Sequence, residues 1–113
     1  MANTYTQIHI QLVFAVKYRN ALISSEIKDR FYQYIIGIIN STDHKMLIIN
    51  GMPDHIHILL GFRPTQSLSD FVEIVKGSSS KWLNEQKLLK YKFAWQKGFG
   101  GFSYTKTDRR AHV

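Results

Sequence analysis

The 113 residues, 44% hydrophobic and 13% aromatic with only two prolines, suffice for one compact domain over 1–113 and exclude disorder as the main state. Fifteen Lys and Arg against eight Asp and Glu give a formal charge of +7, so a polyanion is the first partner to consider. Zero cysteines exclude a disulfide framework and any thiolate metal site.

The N-terminus lacks the basic region and apolar core of a signal peptide, and no apolar run approaches the length of a membrane span. A soluble cytoplasmic protein without membrane contact is the expectation. From Ile8 to Tyr18 the even positions Ile8, Ile10, Leu12, Phe14, Val16 and Tyr18 alternate with His9, Gln11 and Lys17, a period of two that predicts a half-buried strand. Ser24 and Ser25 then open an amphipathic helix to about Asn40, with Ile27, Phe31, Ile35, Ile38 and Ile39 on one face. Met46–Ile49 and His55–Arg63 read as a strand pair joined through the turn chemistry of Asn50-Gly51.

Ser67 or Ser69 caps a second helix toward Leu89, with Phe71, Val72, Val75, Ser79 and Trp82 on its apolar stripe and Trp82 expected in the core. Gly77–Ser80 weakens it and predicts the close approach of a sheet or a ligand backbone. Phe93-Ala94-Trp95 and Phe102-Ser103-Tyr104 read as short strand pieces around a glycine-rich stretch. The order strand, helix, strand, strand, helix, strand predicts an α+β ferredoxin-like sandwich, an antiparallel sheet with both helices on one face. If the helices cover the even residues, His9, Gln11 and Lys17 share the open face with His55 and His57.

His55-Ile56-His57 is the most informative triplet. Residues i and i+2 of a strand point the same way about 7 Å apart, within which two imidazoles can converge on one ion while Ile56 enters the core. An exposed pair of histidines need bind nothing, and a catalytic metal site wants a third ligand. Asp54 is assigned a turn or ligand-supporting role.

The charge excess is local. Residues 1–75 carry six basic and six acidic side chains, residues 76–113 nine and two. Interleaved with Trp95, Phe99, Phe102 and Tyr104, the cations Lys76, Lys81, Lys97 and Lys106 suit single-stranded nucleic acid, the alternative being a solvated helix face over core aromatics. Lys97–Tyr104 partly matches the RNP1 pattern of RNA-recognition domains, but it follows the second helix where RNP1 precedes it.

Met52-Pro53-Asp54-His55-Ile56-His57 resembles the His-hydrophobic-His motif of single-tyrosine HUH transposases, including the REP-associated enzymes. Val16-Lys17-Tyr18-Arg19, Lys76–Ser80 with Trp82-Leu83, Trp95–Phe99 and Phe102-Ser103-Tyr104 are similar too, so the resemblance runs over about residues 5–104. It implies DNA strand cleavage and rejoining through a 5′-phosphotyrosine link, with Mg²⁺ or Mn²⁺ on His55 and His57. It also implies single-stranded or hairpin DNA as partner and a homodimer; Lys17, Arg19, Lys76, Lys81, Lys97 and Lys106 are the candidate DNA contacts. The family's nucleophilic tyrosine lies on a further helix after the last strand. No tyrosine here matches that position: Tyr104 falls in the last strand, and none follows it through Val113. No catalytic residue is therefore assigned, and the nucleophile is expected to be missing beyond Val113. The expectation is a transposase truncated before its tyrosine helix, keeping DNA binding but inactive as this chain. The alternative is a nonenzymatic single-strand binder, regulatory or RNA-recognition-like.

Overall fold

A computed structural model of the chain describes residues 8–63 and 66–105, with side chains through Gly100. The elements are β1 (Ile8–Ala15), a tight turn at Lys17–Arg19, α1 (Ser25–Asn40), β2 (Lys45–Met52), β3 (His55–Phe62), α2 (Leu68–Gln86) and β4 (Gly100–Thr105). The four strands form one sheet in the order β2-β3-β1-β4, with every neighbouring pair antiparallel. This is the predicted ferredoxin-like arrangement. Ile10, Leu12, Phe14 and Val16 meet Ile56, Ile58 and Leu60 on the covered face, and Ile27, Phe31 and Ile35 of α1 and Phe71, Val75 and Leu83 of α2 complete the same core. Burying each such side chain contributes roughly 1.5–3 kcal/mol, so the alternation of β1 and β3 fixes which sheet face the helices take.

The first strand is shorter than its alternation predicts. It ends at Ala15, and Val16 makes only an isolated bridge to Trp95. The cause is a backbone reversal: Tyr18 and Arg19 both adopt positive φ, 60° and 56°, and take Lys17 out of the sheet row that holds His9 and Gln11. The expected placement of Lys17 on the open sheet face is therefore corrected to this turn. Phe93-Ala94-Trp95 likewise forms that one bridge and no strand.

The second helix runs unbroken through Gly77–Ser80 and stops at Gln86, where Lys87 takes the left-handed conformation. Ser67 caps it, its hydroxyl accepting from the Asp70 amide at 3.0 Å. What approaches the small residues is a ring: Ser79 is fully buried, and its hydroxyl accepts from the Trp95 indole N–H at 3.0 Å. Trp95 lies face to face with Phe31 at 5.8 Å and edge-on to Phe14 and Phe93. Trp82 is only partly buried, stacked on Tyr34 at 4.6 Å outside the main core. Among the histidines, His44 is structural: it is buried, stacks on Phe62 at 4.2 Å, and its Nδ1 accepts from the Arg63 amide.

Candidate metal centre and nucleic-acid interface

The open face of the sheet carries the site. Cross-strand partners share a face, so the register reads Met52, His55 and Ala15 as one row and Asn50, His57 and Val13 as the next. On β1 these rows carry Ala15 and Val13, and both imidazoles are half-buried. Their ring centroids lie 5.0 Å apart at 74°. An ion about 2.1 Å from one nitrogen of each ring, at angles between octahedral and tetrahedral, sets the centroids roughly 4.6–5.4 Å apart. The separation of the two rings therefore allows one shared ion.

Asp54 occupies the turn before β3, in the turn and ligand-supporting role assigned to it, and turns its carboxylate back onto the first imidazole. His55 Nδ1–H donates to Asp54 Oδ1 at 2.7 Å, since a carboxylate oxygen only accepts, and Nε2 is the ring nitrogen left to face a metal. Arg19 closes the chain from the other side, its Nε donating to Asp54 Oδ2 at 3.2 Å with Nη2 at 3.1 Å. The His55 hydrogen bond first, then the bond and charge of Arg19, hold the Asp54 carboxyl below the usual carboxylate range. Its contribution is present above that range and lost as pH falls through the depressed value. Asp54→Ala should release the tautomer: ¹⁵N imidazole shifts should show His55 as Nδ1–H in the parent and as an Nε2–H-rich mixture in the variant. An unchanged pattern would remove Asp54 from the orienting role.

Two imidazoles fill two positions of a coordination sphere. Among the described residues no three His, Asp or Glu side chains cluster as a ligand set, so further ligands would be waters, phosphate oxygens or groups outside them. Imidazole donors favour Mn²⁺ over Mg²⁺, which prefers oxygen. Asn50, directly opposite His57, and Gln11 line a shallow cavity beside it of about 360 Å³.

The candidate DNA contacts divide. Lys17 and Lys97 come together, because Lys17 N–H donates to Ala94 O at 2.9 Å and Gln96 N–H to Ala15 O at 2.8 Å. Lys81 and Lys97 border a groove of about 860 Å³ between α2 and the segment after it. Arg19 is engaged with Asp54. Lys76 spends its ammonium on the Gln96 and Gly98 carbonyls, both at 2.6 Å, and lies over the Phe14 ring; burial lowers its pKa. Lys106 lies outside the described residues, and so does the stretch from it to Val113, on which the expectation of a missing nucleophile turns. Reading the sequence missed this bracing by Lys76, the link from Arg19 to Asp54, and Asn84, whose carboxamide pins the Phe93 backbone. Only the Asp-His adjacency offered a sequence signal for any of them.

Residues 4–112 match the family model described as "Transposase IS200 like". The chain is 32% identical over 75 residues to the ISDra2 transposase TnpA of Deinococcus radiodurans, covering 66% of this chain and 54% of that protein. It is 31% identical over 104 residues to the transposase for insertion sequence element IS200 of Salmonella typhimurium, covering 88% and 68%. Thus it spans about half the length of the first relative and two thirds of the second. By fold it superposes on the crystal structure of a proposed transposase from Deinococcus radiodurans with TM-score 0.80, 21% identity and coverage of 97% and 88%. The REP-associated tyrosine transposase bound to a REP hairpin gives TM-score 0.69, 16% identity and coverage of 96% and 64%. Among the described residues no helix is long and apolar enough to cross a membrane. With the model match running through nearly the whole sequence and the IS200 relative above 30% identity, the chain belongs to the IS200-like transposase family.

Proposed function

We propose that this chain works in DNA transposition, holding the end of a single-stranded or hairpin DNA with its scissile phosphate against His55 and His57. The observation that carries it is the pair of imidazoles at 5.0 Å, one of them oriented by Asp54 and Arg19. A Mg²⁺ or Mn²⁺ ion held there would polarise the phosphate for attack by a tyrosine hydroxyl, giving a 5′-phosphotyrosine link. His55 and His57 would hold the ion through ring nitrogens, Asp54 orients the His55 ring, and the Lys17–Lys97 and Lys81 cations neutralise flanking phosphates. The REP-associated relative, bound to its hairpin, supports a folded DNA partner.

None of the six tyrosines between Met1 and Val113 stands where the family places its nucleophile. By this reading the described residues supply scaffold, DNA interface and two metal ligands. A homodimer belongs to the same proposal: among the described residues no strand pairs with the outer edge of β2, and Ile48 and Met52 on it are 53% and 60% exposed. Acting on DNA, the protein works in the cytoplasm.

The test has two readouts. Mn²⁺ titration followed by electron paramagnetic resonance should give one site per chain, and His55→Ala or His57→Ala should weaken it by roughly tenfold or more. Single-stranded element ends should bind with steep salt dependence. Unchanged Mn²⁺ affinity in both variants would end the metal assignment, leaving a nonenzymatic binder.

A further inference from the structure

Two non-glycine residues in succession with positive φ are rare, and neither Tyr18 nor Arg19 is an Asn or Asp that tolerates that region. Arg19 has a local reason, its guanidinium reaching Asp54. Tyr18 has none in packing among the described residues. It is 79% exposed, and among those residues its ring meets the Lys17 ammonium, 5.4 Å from the ring centroid. A large aromatic is thus held in an unfavourable backbone conformation and presented to solvent, where burial would normally be its gain. It borders a cavity of about 420 Å³ shared with Lys17, Ala94, Trp95, Gln96 and Lys97. The two chain segments that form this cavity are pinned by the main-chain hydrogen bonds of residues 15–17 to 94–96.

We propose that Tyr18 is a stacking platform for an unpaired base of single-stranded DNA, with Lys17 and Lys97 taking the phosphates on either side. The inference rests on the DNA-binding function proposed above. Ring faces accept any base, and cations beside them neutralise the backbone, which is the chemistry a single strand needs. The turn also places the platform one residue from Arg19, whose ion pair leads to His55, so a base on Tyr18 would lie on the approach to the metal pair.

Binding of the full chain to two probes separates the possibilities: oligothymidylate, and an abasic deoxyribose-phosphate strand of equal length and charge. Tyr18→Asn keeps a residue that accepts the left-handed backbone and removes the ring. It should weaken oligothymidylate binding about tenfold, leave the abasic strand unchanged, and leave Tm equal or higher. Tyr18→Phe should bind within about twofold of the parent, since the ring and not the hydroxyl stacks. Equal oligothymidylate affinity in Tyr18→Asn, an equal loss on the abasic strand, or a fall in Tm would each overturn the platform. If the parent chain binds neither strand, the DNA-binding function itself falls, and the platform with it.

Discussion

Gly51→Ala is expected to destabilise the protein by about 3 kcal/mol and lower Tm by about 10 °C or more. Gly51 lies on β2 opposite Ile56, and the two backbones approach so closely that an added Cβ would stand 2.3 Å from the His55 carbonyl oxygen and 2.7 Å from Ile56 Cα. Both are main-chain atoms, so no side-chain rotation relieves the overlap. The strands must part, and the one displaced carries both imidazoles. Mn²⁺ affinity should therefore fall together with stability. Gly37→Ala in α1 is the internal contrast. Among the described residues nothing outside its own helix backbone lies within 4 Å of where a Cβ would stand, so helix propensity alone predicts a gain of up to about 1 kcal/mol. Thermal melting of the two variants decides the matter: a Gly51→Ala chain that melts with the parent would refute the close approach of β2 to β3.

The second large effect lies at Asn84. Its Nδ2 donates to the Phe93 carbonyl at 3.0 Å while its Oδ1 accepts from the Phe93 amide at 2.7 Å, a side chain standing in for a strand partner. Phe93 is buried edge-on against Phe31 and Trp95, so its backbone has no water to turn to. Asn84→Ala should cost about 2–4 kcal/mol, the penalty of leaving one partly buried donor and one acceptor unmade. Asn84→Asp, which keeps the acceptor and loses the donor, should fall between. Because the same segment carries Lys97 to Lys17, the shallower salt dependence of DNA binding expected for Asn84→Ala reports a lost phosphate contact. Denaturant melts within about 0.5 kcal/mol of the parent would show that the clamp is dispensable.

Alternation along β1 and β3 carried the fold. Once Ile10, Leu12 and Phe14 are set against Ile56, Ile58 and Leu60, the covered face, the central strand pair and the exposure of His55 and His57 follow from period two. Asp54 was legible as well, because adjacency to a strand-initial histidine restricts it to the turn. What the sequence hid was non-periodic. The positive φ of Tyr18 and Arg19 occurs in residues with no preference for it, so the strand pattern ran three residues too far. Lys76 sits in a basic third that reads as a phosphate-binding surface, yet its ammonium braces a loop, which depends on where residues 96–98 happen to pass. Asn84 gave no signal, since an Asn late in a helix looks like surface until the chain after it returns.

The triplet His55-Ile56-His57 interleaves two jobs on one strand, imidazoles outward and Ile56 in the core. A slip of β3 by one residue would bury both imidazoles and expose Ile56, Ile58 and Leu60 together. Residue identities on either face can drift separately, but the residue count through this strand cannot. Insertions and deletions there are barred twice over, once by the oil of the core and once by the chemistry above it.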